Sequence, residues 1–61
     1  MTVQELSHDQ LIKLKQCFLS ESYNVEGKQP SWEELSKADE IISDETIFNE
    51  YAGILFTIDD F

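Results

Sequence analysis

Residues 31–53, SWEELSKADEIISDETIFNEYAG, constrain the fold more than any other stretch because they contain two helix starts and one helix stop. Ser31 and Glu34 form a capping box, in which each side chain satisfies a backbone amide left free in the first helical turn. Ser43 is a second N-cap, because two acidic residues that suit a first turn follow it. Gly53 suits the left-handed position just past a helix end. The stretch therefore predicts two consecutive helices, the first over about 32–42.

A further helix is predicted ahead of this stretch. Ser7 and Gln10 form another capping box, and apolar residues then recur at intervals of three and four. We expect this helix to run from His8 to about Glu21 and to be followed by a loop over 22–30. The predicted core comprises Leu11, Leu14, Phe18, Leu35, Ala38, Ile42, Ile47, Phe48, Tyr51 and Leu55.

The sequence also predicts which polar and small side chains of the first helix are exposed and which are buried. We expect Lys13, Lys15 and Gln16 to point into water. Cys17 is the only cysteine, so no internal disulfide forms, and next to Phe18 it is expected to be a small buried hydrophobic residue.

The C-terminal segment 54–58, ILFTI, alternates in a way that predicts a short strand. Such a strand needs a partner for its backbone groups, which the N-terminal lead-in, residues 22–26 or a second copy of the chain would supply. The competing interpretation continues the last helix through Leu55. The sequence thus predicts a mainly α fold for residues 1–61, a compact single domain of three helices with a short extended, β-like C-terminal segment.

Charge narrows the class of partner. The chain has 13 acidic residues against 4 lysines, a net charge of −9. Residues 31–61 contain nine of these acids and one lysine. Binding to nucleic acid or to an anionic membrane requires clustered Lys and Arg, so both are disfavoured and a basic protein partner is favoured. No signal peptide or long apolar run is present, and we expect a cytoplasmic protein.

Enzymatic and metal chemistry find no support in the sequence. His8 is the only histidine, so neither a zinc motif nor a Cys–His pair can be built, and the acids do not follow the spacing of a calcium loop. Sixty-one residues seldom enclose a catalytic pocket. We therefore expect no catalytic residue, no cofactor and no metal.

The acids of the second half predict a face that engages a partner, although an ordinary hydrated surface explains them equally. The candidate face consists of Glu33, Glu34, Glu40, Asp44, Glu45, Glu50, Asp59 and Asp60. Trp32 and Phe61 are candidate apolar anchors, yet a Trp at a helix start more often packs over the edge of a core. In the alternative interpretation, the protein self-associates through its apolar C-terminal segment, as a homodimer, and its charge serves solubility alone.

The segments LSHDQLIKLKQ, SWEELSKADEIISDETIFNEYAG and FTIDDF together resemble small acidic proteins of unknown function found in bacterial phages, plasmids and conjugative elements. Small acidic proteins of that setting include inhibitors of host defence, among them anti-restriction and anti-CRISPR proteins, several of which mimic DNA. The resemblance implies that class and assigns no role to any residue.

Overall fold

Four α-helices make up most of the computed structural model, which describes residues 1–57 and Asp59. A short 3₁₀ helix at Val3–Glu5 is followed by α1 (His8–Val25), α2 (Trp32–Ser36), α3 (Ala38–Ile41) and α4 (Asp44–Glu50). The mainly α fold class is confirmed. The prediction of three helices is not, because the second predicted helix is divided into α2 and α3.

The predicted helix starts are confirmed by their hydrogen bonds. The Gln10 amide donates to Ser7 Oγ at 3.3 Å, and the Ser7 amide donates to Gln10 Oε1 at 2.9 Å. Ser31 and Glu34 form the same reciprocal pair at 3.2 and 3.4 Å. The Ser43 hydroxyl accepts from the backbone amide three residues later at 3.2 Å. Each helix that was predicted from its cap begins where the cap places it.

The end of α1 lies four residues beyond the predicted end at Glu21. Gly27 adopts a φ of 73°, and its amide donates to the Asn24 carbonyl at 2.9 Å. The Lys28 amide donates to the Tyr23 carbonyl, also at 2.9 Å. These two bonds are the Schellman pattern that closes a helix at glycine. The predicted loop therefore loses its first residues to α1, because no residue before Gly27 stops the helix.

A turn at Lys37 separates α2 from α3. The Ser36 hydroxyl donates to the Glu33 carbonyl at 2.8 Å, and Lys37 has φ −104° and ψ 11°. A serine hydroxyl that bonds back to a carbonyl of the preceding turn competes with the helical ladder and bends the helix. This local competition accounts for the break at Lys37, so two short helices are present where one continuous helix was predicted.

The C-terminal segment contains no strand among its described residues, so the predicted strand is not confirmed. Thr2 and Leu55 form an isolated antiparallel bridge, and the Phe56 amide donates to the Met1 carbonyl at 2.7 Å. The N-terminal lead-in is thus the neighbour of this segment. Pairing stops after one bridge because Val3 begins the 3₁₀ helix. Ile58, the last residue of the predicted strand, lies outside the described residues.

The core lies between α1, the three short helices, residues 1–6 and the described part of the C-terminal segment. Its buried side chains are Val3, Leu6, Leu14, Leu19, Ala38, Ile42, Ile47 and Phe56. The other predicted core residues are half-buried against these, with the exception of Leu55, which is 75% exposed. Phe56 takes the inward position instead and packs against the Tyr51 ring with the ring centroids 6.0 Å apart. The core prediction was wrong by one position at the C-terminal segment.

Two alanine substitutions test this core. Ile47 is fully buried, so Ile47→Ala should lower the free energy of unfolding by about 2–5 kcal/mol. Leu55→Ala should change it by no more than about 0.5 kcal/mol, because the side chain is already in water. Urea denaturation followed by circular dichroism measures both. Equal losses in the two variants would contradict the exposed position of Leu55.

Candidate functional site

Lys15 is the most unusual side chain of the protein because it is 1% exposed. Its Nζ donates to Asp39 Oδ1 at 2.7 Å and to Asp44 Oδ1 at 2.5 Å. The prediction that Lys15 points into water was therefore wrong. We call these three residues the lysine clamp. They join α1 to the first turns of α3 and α4.

Helical geometry explains the burial of Lys15. Lys15 follows Leu14 and lies four residues before Leu19, and both of these leucines are buried. The lysine therefore stands within the apolar stripe of α1, where its methylene stem packs like an apolar side chain. Its charged end then requires carboxylates, since an unpaired buried charge is strongly destabilising. Asp39 and Asp44 supply them from helix N-termini, where acidic residues are favoured.

The protonation states of the clamp follow from these contacts. Burial, the largest influence, would lower the pKa of Lys15, but the hydrogen bonds and negative charges of Asp39 and Asp44 together outweigh it and raise the pKa. The hydrogen bond from Lys15 lowers the pKa of Asp39. The two aspartates remain 42% and 60% exposed, so the charged end of the clamp lies at the protein edge, where water screens it.

The fold uses two members of the predicted acidic face internally. Asp44 pairs with Lys15. Glu34 caps α2 through one carboxylate oxygen and accepts a hydrogen bond from the Tyr23 hydroxyl through the other. We therefore remove Glu34 and Asp44 from the surface that is free to meet a partner. Asp60, also predicted on this face, lies outside the described residues.

The remaining acids are exposed, and we call them the acidic surface. Glu33 forms an ion pair with Lys37, one helical turn later, at 3.4 Å. Within the described part of the chain, Glu40, Glu45 and Glu50 take part in no ion pair. The members of the acidic surface are Glu33, Glu40, Glu45, Glu50 and Asp59.

These acids do not form a straight row. Glu45 and Glu50 are five residues apart on α4, which separates them by about 140° around the helix. Glu33 and Glu40 stand on two different short helices. The acidic surface is therefore distributed over several elements and is not a charged rod.

Trp32 is 88% exposed at the first position of α2. The interpretation of this residue as packed over the core edge was wrong, because Leu35, three residues later, takes the inward position. Trp32 is thus available as an anchor beside Glu33. The other candidate anchor, Phe61, lies outside the described residues.

Cys17 is exposed and not buried as the sequence predicted. It lines a groove of about 770 Å³ between α1 and the C-terminal segment. The groove has an apolar lining that includes Leu14, Leu35 and Phe56. Sequence reasoning missed it because the groove depends on where the C-terminal segment crosses α1.

Comparisons with family models, with curated proteins and with solved structures find no match to this chain. In residues 1–57 and Asp59, no three His, Cys, Asp or Glu side chains are grouped so that they could hold a metal ion. No helix in the described residues is long and apolar enough to span a bilayer. Any function must therefore be argued from the clamp, the acidic surface, Trp32 and the groove.

The clamp predicts an order of stability among three variants. Asp39→Asn combined with Asp44→Asn leaves the buried Lys15 ammonium without a countercharge, so the urea midpoint should fall. Lys15→Met should lower it less, because methionine fills the same volume and water solvates the two half-exposed carboxylates. Adding Lys15→Met to the double variant should restore part of the lost stability. A triple variant less stable than the double variant would refute the clamp.

The clamp also predicts a pH range of constant stability. The pKa of Asp39 is lowered by folding, so its contribution is present above about pH 4 and is lost as the pH falls further. The pKa of Lys15 is raised, so its contribution is present below about pH 10 and is lost as the pH rises through the raised value.

Thermal melts from pH 2 to 12 of the parent and of Lys15→Met measure this effect. Tyr51, whose burial raises its pKa, is present in both proteins, so their difference isolates the clamp. The stability advantage of the parent should shrink at both extremes of pH. An advantage that does not vary with pH would contradict the ion pairs.

Proposed function

We propose that this protein is a non-enzymatic binding module whose acidic surface engages a basic, nucleic-acid-binding protein. The observation that supports the proposal is the number of acids that the fold leaves free. Glu40, Glu45 and Glu50 are exposed and form no ion pair with any described residue. Carboxylates presented in this way attract clustered Lys and Arg and accelerate association with a basic protein.

Trp32 adds an apolar anchor to this surface. A side chain that is 88% exposed contributes little to the core, and tryptophan is among the residues that most often dominate binding energy at an interface. The indole face also attracts cations, so an Arg of a basic partner could stack on Trp32 while it pairs with Glu33. Glu33 and Trp32 would thus both bind a basic partner.

The resemblance to small acidic proteins of mobile genetic elements extends the proposal to inhibition of host defence. In that setting the basic partner is a protein that normally binds DNA, and the acidic surface takes the place of the phosphates. The acids do not follow a straight row, so this mimicry would rest on separate charge contacts and not on a rod of phosphate-like spacing. Duplex DNA should then compete with this protein for the partner.

A pair of matched variants tests the acidic surface. The test variant combines Glu40→Gln, Glu45→Gln and Glu50→Gln. The control combines Glu5→Gln, Asp9→Asn and Glu26→Gln, which are exposed acids of the first half that lie outside the groove lining. Both variants remove three negative charges, and neither touches the clamp or Glu34.

The partner is first captured on the immobilised parent protein from a bacterial lysate at low salt, eluted with rising salt and identified by mass spectrometry. Its affinity for each variant is then measured by calorimetry. We expect the test variant to bind at least tenfold more weakly and the control to change much less. Trp32→Ala should weaken binding by about thirtyfold, the effect of a hot-spot residue, without lowering the melting temperature. Equal losses in the two triple variants would reduce the acidic surface to nonspecific charge.

Self-association is the second candidate function, and the exposure of the C-terminal segment favours it. Ile54 is 45% and Leu55 is 75% exposed, and both border the groove beside Cys17. Phe56 is 9% exposed, so it offers a second copy little surface although it lines the groove.

A further inference from the structure

The groove beside α1 is lined by the C-terminal segment, by a single face of α1 and by Leu35 of α2. The C-terminal wall is apolar and carries the exposed Ile54 and Leu55. The residues that α1 contributes are Lys13, Leu14, Gln16, Cys17, Ser20 and Glu21. Their spacing of three and four places them on one helical face, which is open to solvent along most of its length.

Charges on this face are arranged symmetrically about Cys17. Lys13 lies four residues before Cys17, and Glu21 lies four residues after it, so the two charges are about 12 Å apart along the helix. Lys15, Lys28 and Lys37 each have a carboxylate partner. In the described residues, no carboxylate lies within ion-pair distance of Lys13, and no cation lies within that distance of Glu21.

We infer that two copies of this chain pack antiparallel across the groove, with the twofold axis at Cys17. In this arrangement Lys13 of each copy faces Glu21 of the other, so two ion pairs related by the twofold axis satisfy all four charges. Leu55 of each copy covers the apolar part of the opposite groove. A twofold interface of this kind uses the same surface of both copies.

A second copy fits this groove better than a basic protein does. Residues 1–30 contain four acids and three lysines and are nearly neutral, whereas residues 31–61 contain nine acids and one lysine. The groove face of α1 is thus a surface on which two strongly acidic chains can meet without strong repulsion. Cys17 and Ser20 are small, which lets two helix axes approach closely. The acidic surface is formed by other elements, so a dimer formed through the groove does not use the surface proposed for the basic partner.

The inference deepens the second candidate function and is tested by charge exchange. Lys13→Glu and Glu21→Lys each place like charges opposite one another twice in the dimer. Their combination restores opposite charges and has the same net charge as the parent. Lys28→Glu, outside the groove, is the control for the charge change of Lys13→Glu. Sedimentation equilibrium over a range of protein concentrations, with circular dichroism to verify folding, measures the dimer dissociation constant.

We expect the parent to dimerise and each single groove variant to raise the dissociation constant at least tenfold. The double variant should return it to near the parent value, and Lys28→Glu should change it about threefold or less. Leu55→Asp should abolish the dimer while leaving the monomer folded, because that side chain is exposed in the single chain.

Crosslinking locates the axis. A short bis-maleimide should join two copies through Cys17 in dilute solution. A variant with Cys17→Ser and Asn49→Cys, which moves the thiol to an exposed position of α4, should remain uncrosslinked.

Each contrary outcome has a defined meaning. A parent that is monomeric at all concentrations would overturn both the inference and the self-association candidate. A dimer that is indifferent to the charge exchange, or that crosslinks equally through residue 49, would overturn the antiparallel arrangement and leave self-association standing. Neither result would bear on the acidic surface, whose test uses different residues.

Discussion

The burial of one lysine determines how the helices of this small protein are arranged. Lys15 stands in the apolar stripe of α1, and its ammonium must meet carboxylates because an unpaired buried charge costs too much. Asp39 and Asp44 provide them from two different short helices. A 61-residue chain has a small core, and this contact joins three of its four described α-helices.

The clamp and the caps also decide which acids are available for function. Asp44 neutralises Lys15, and Glu34 caps α2 and accepts from Tyr23. A smaller group of the described acids of the second half is exposed and without an ion pair. It includes Glu40, Glu45 and Glu50. Net charge alone therefore overstates the surface that a partner can use. The acids left free suit a basic partner, and the nearly neutral face of α1 suits a second copy of the chain.

Local signals in the sequence predicted the local features of the fold. The caps at Ser7, Ser31 and Ser43 act within four residues, and each is present as predicted. Gly53 likewise has the predicted left-handed conformation, with a φ of 80°. The break after Ser36 is also local, but its signal is a serine hydroxyl that can equally well point to solvent. Pattern alone does not distinguish these two states.

Features that depend on tertiary contacts were the ones that the sequence did not predict. Lys15 occupies a core position in the apolar stripe of α1. It was nevertheless predicted to point into water, because lysine side chains are seldom buried. Trp32 and Cys17 were expected to be covered, and both are exposed. At the C-terminal segment, a shift of one residue exchanged Leu55 for Phe56, as expected where alternate residues face opposite sides.

The most direct test of this account is the behaviour of the Lys15 ammonium itself. Nitrogen-15 NMR of the lysine side chains resolves each ammonium group, and Lys15→Met assigns the signal. We predict that at neutral pH the Lys15 protons exchange with water more slowly than those of Lys13, and that Lys15 titrates above the ordinary range for lysine. A Lys15 signal that exchanges and titrates like that of a free lysine would show that the side chain lies in water, and the account of the fold built on the clamp would be wrong.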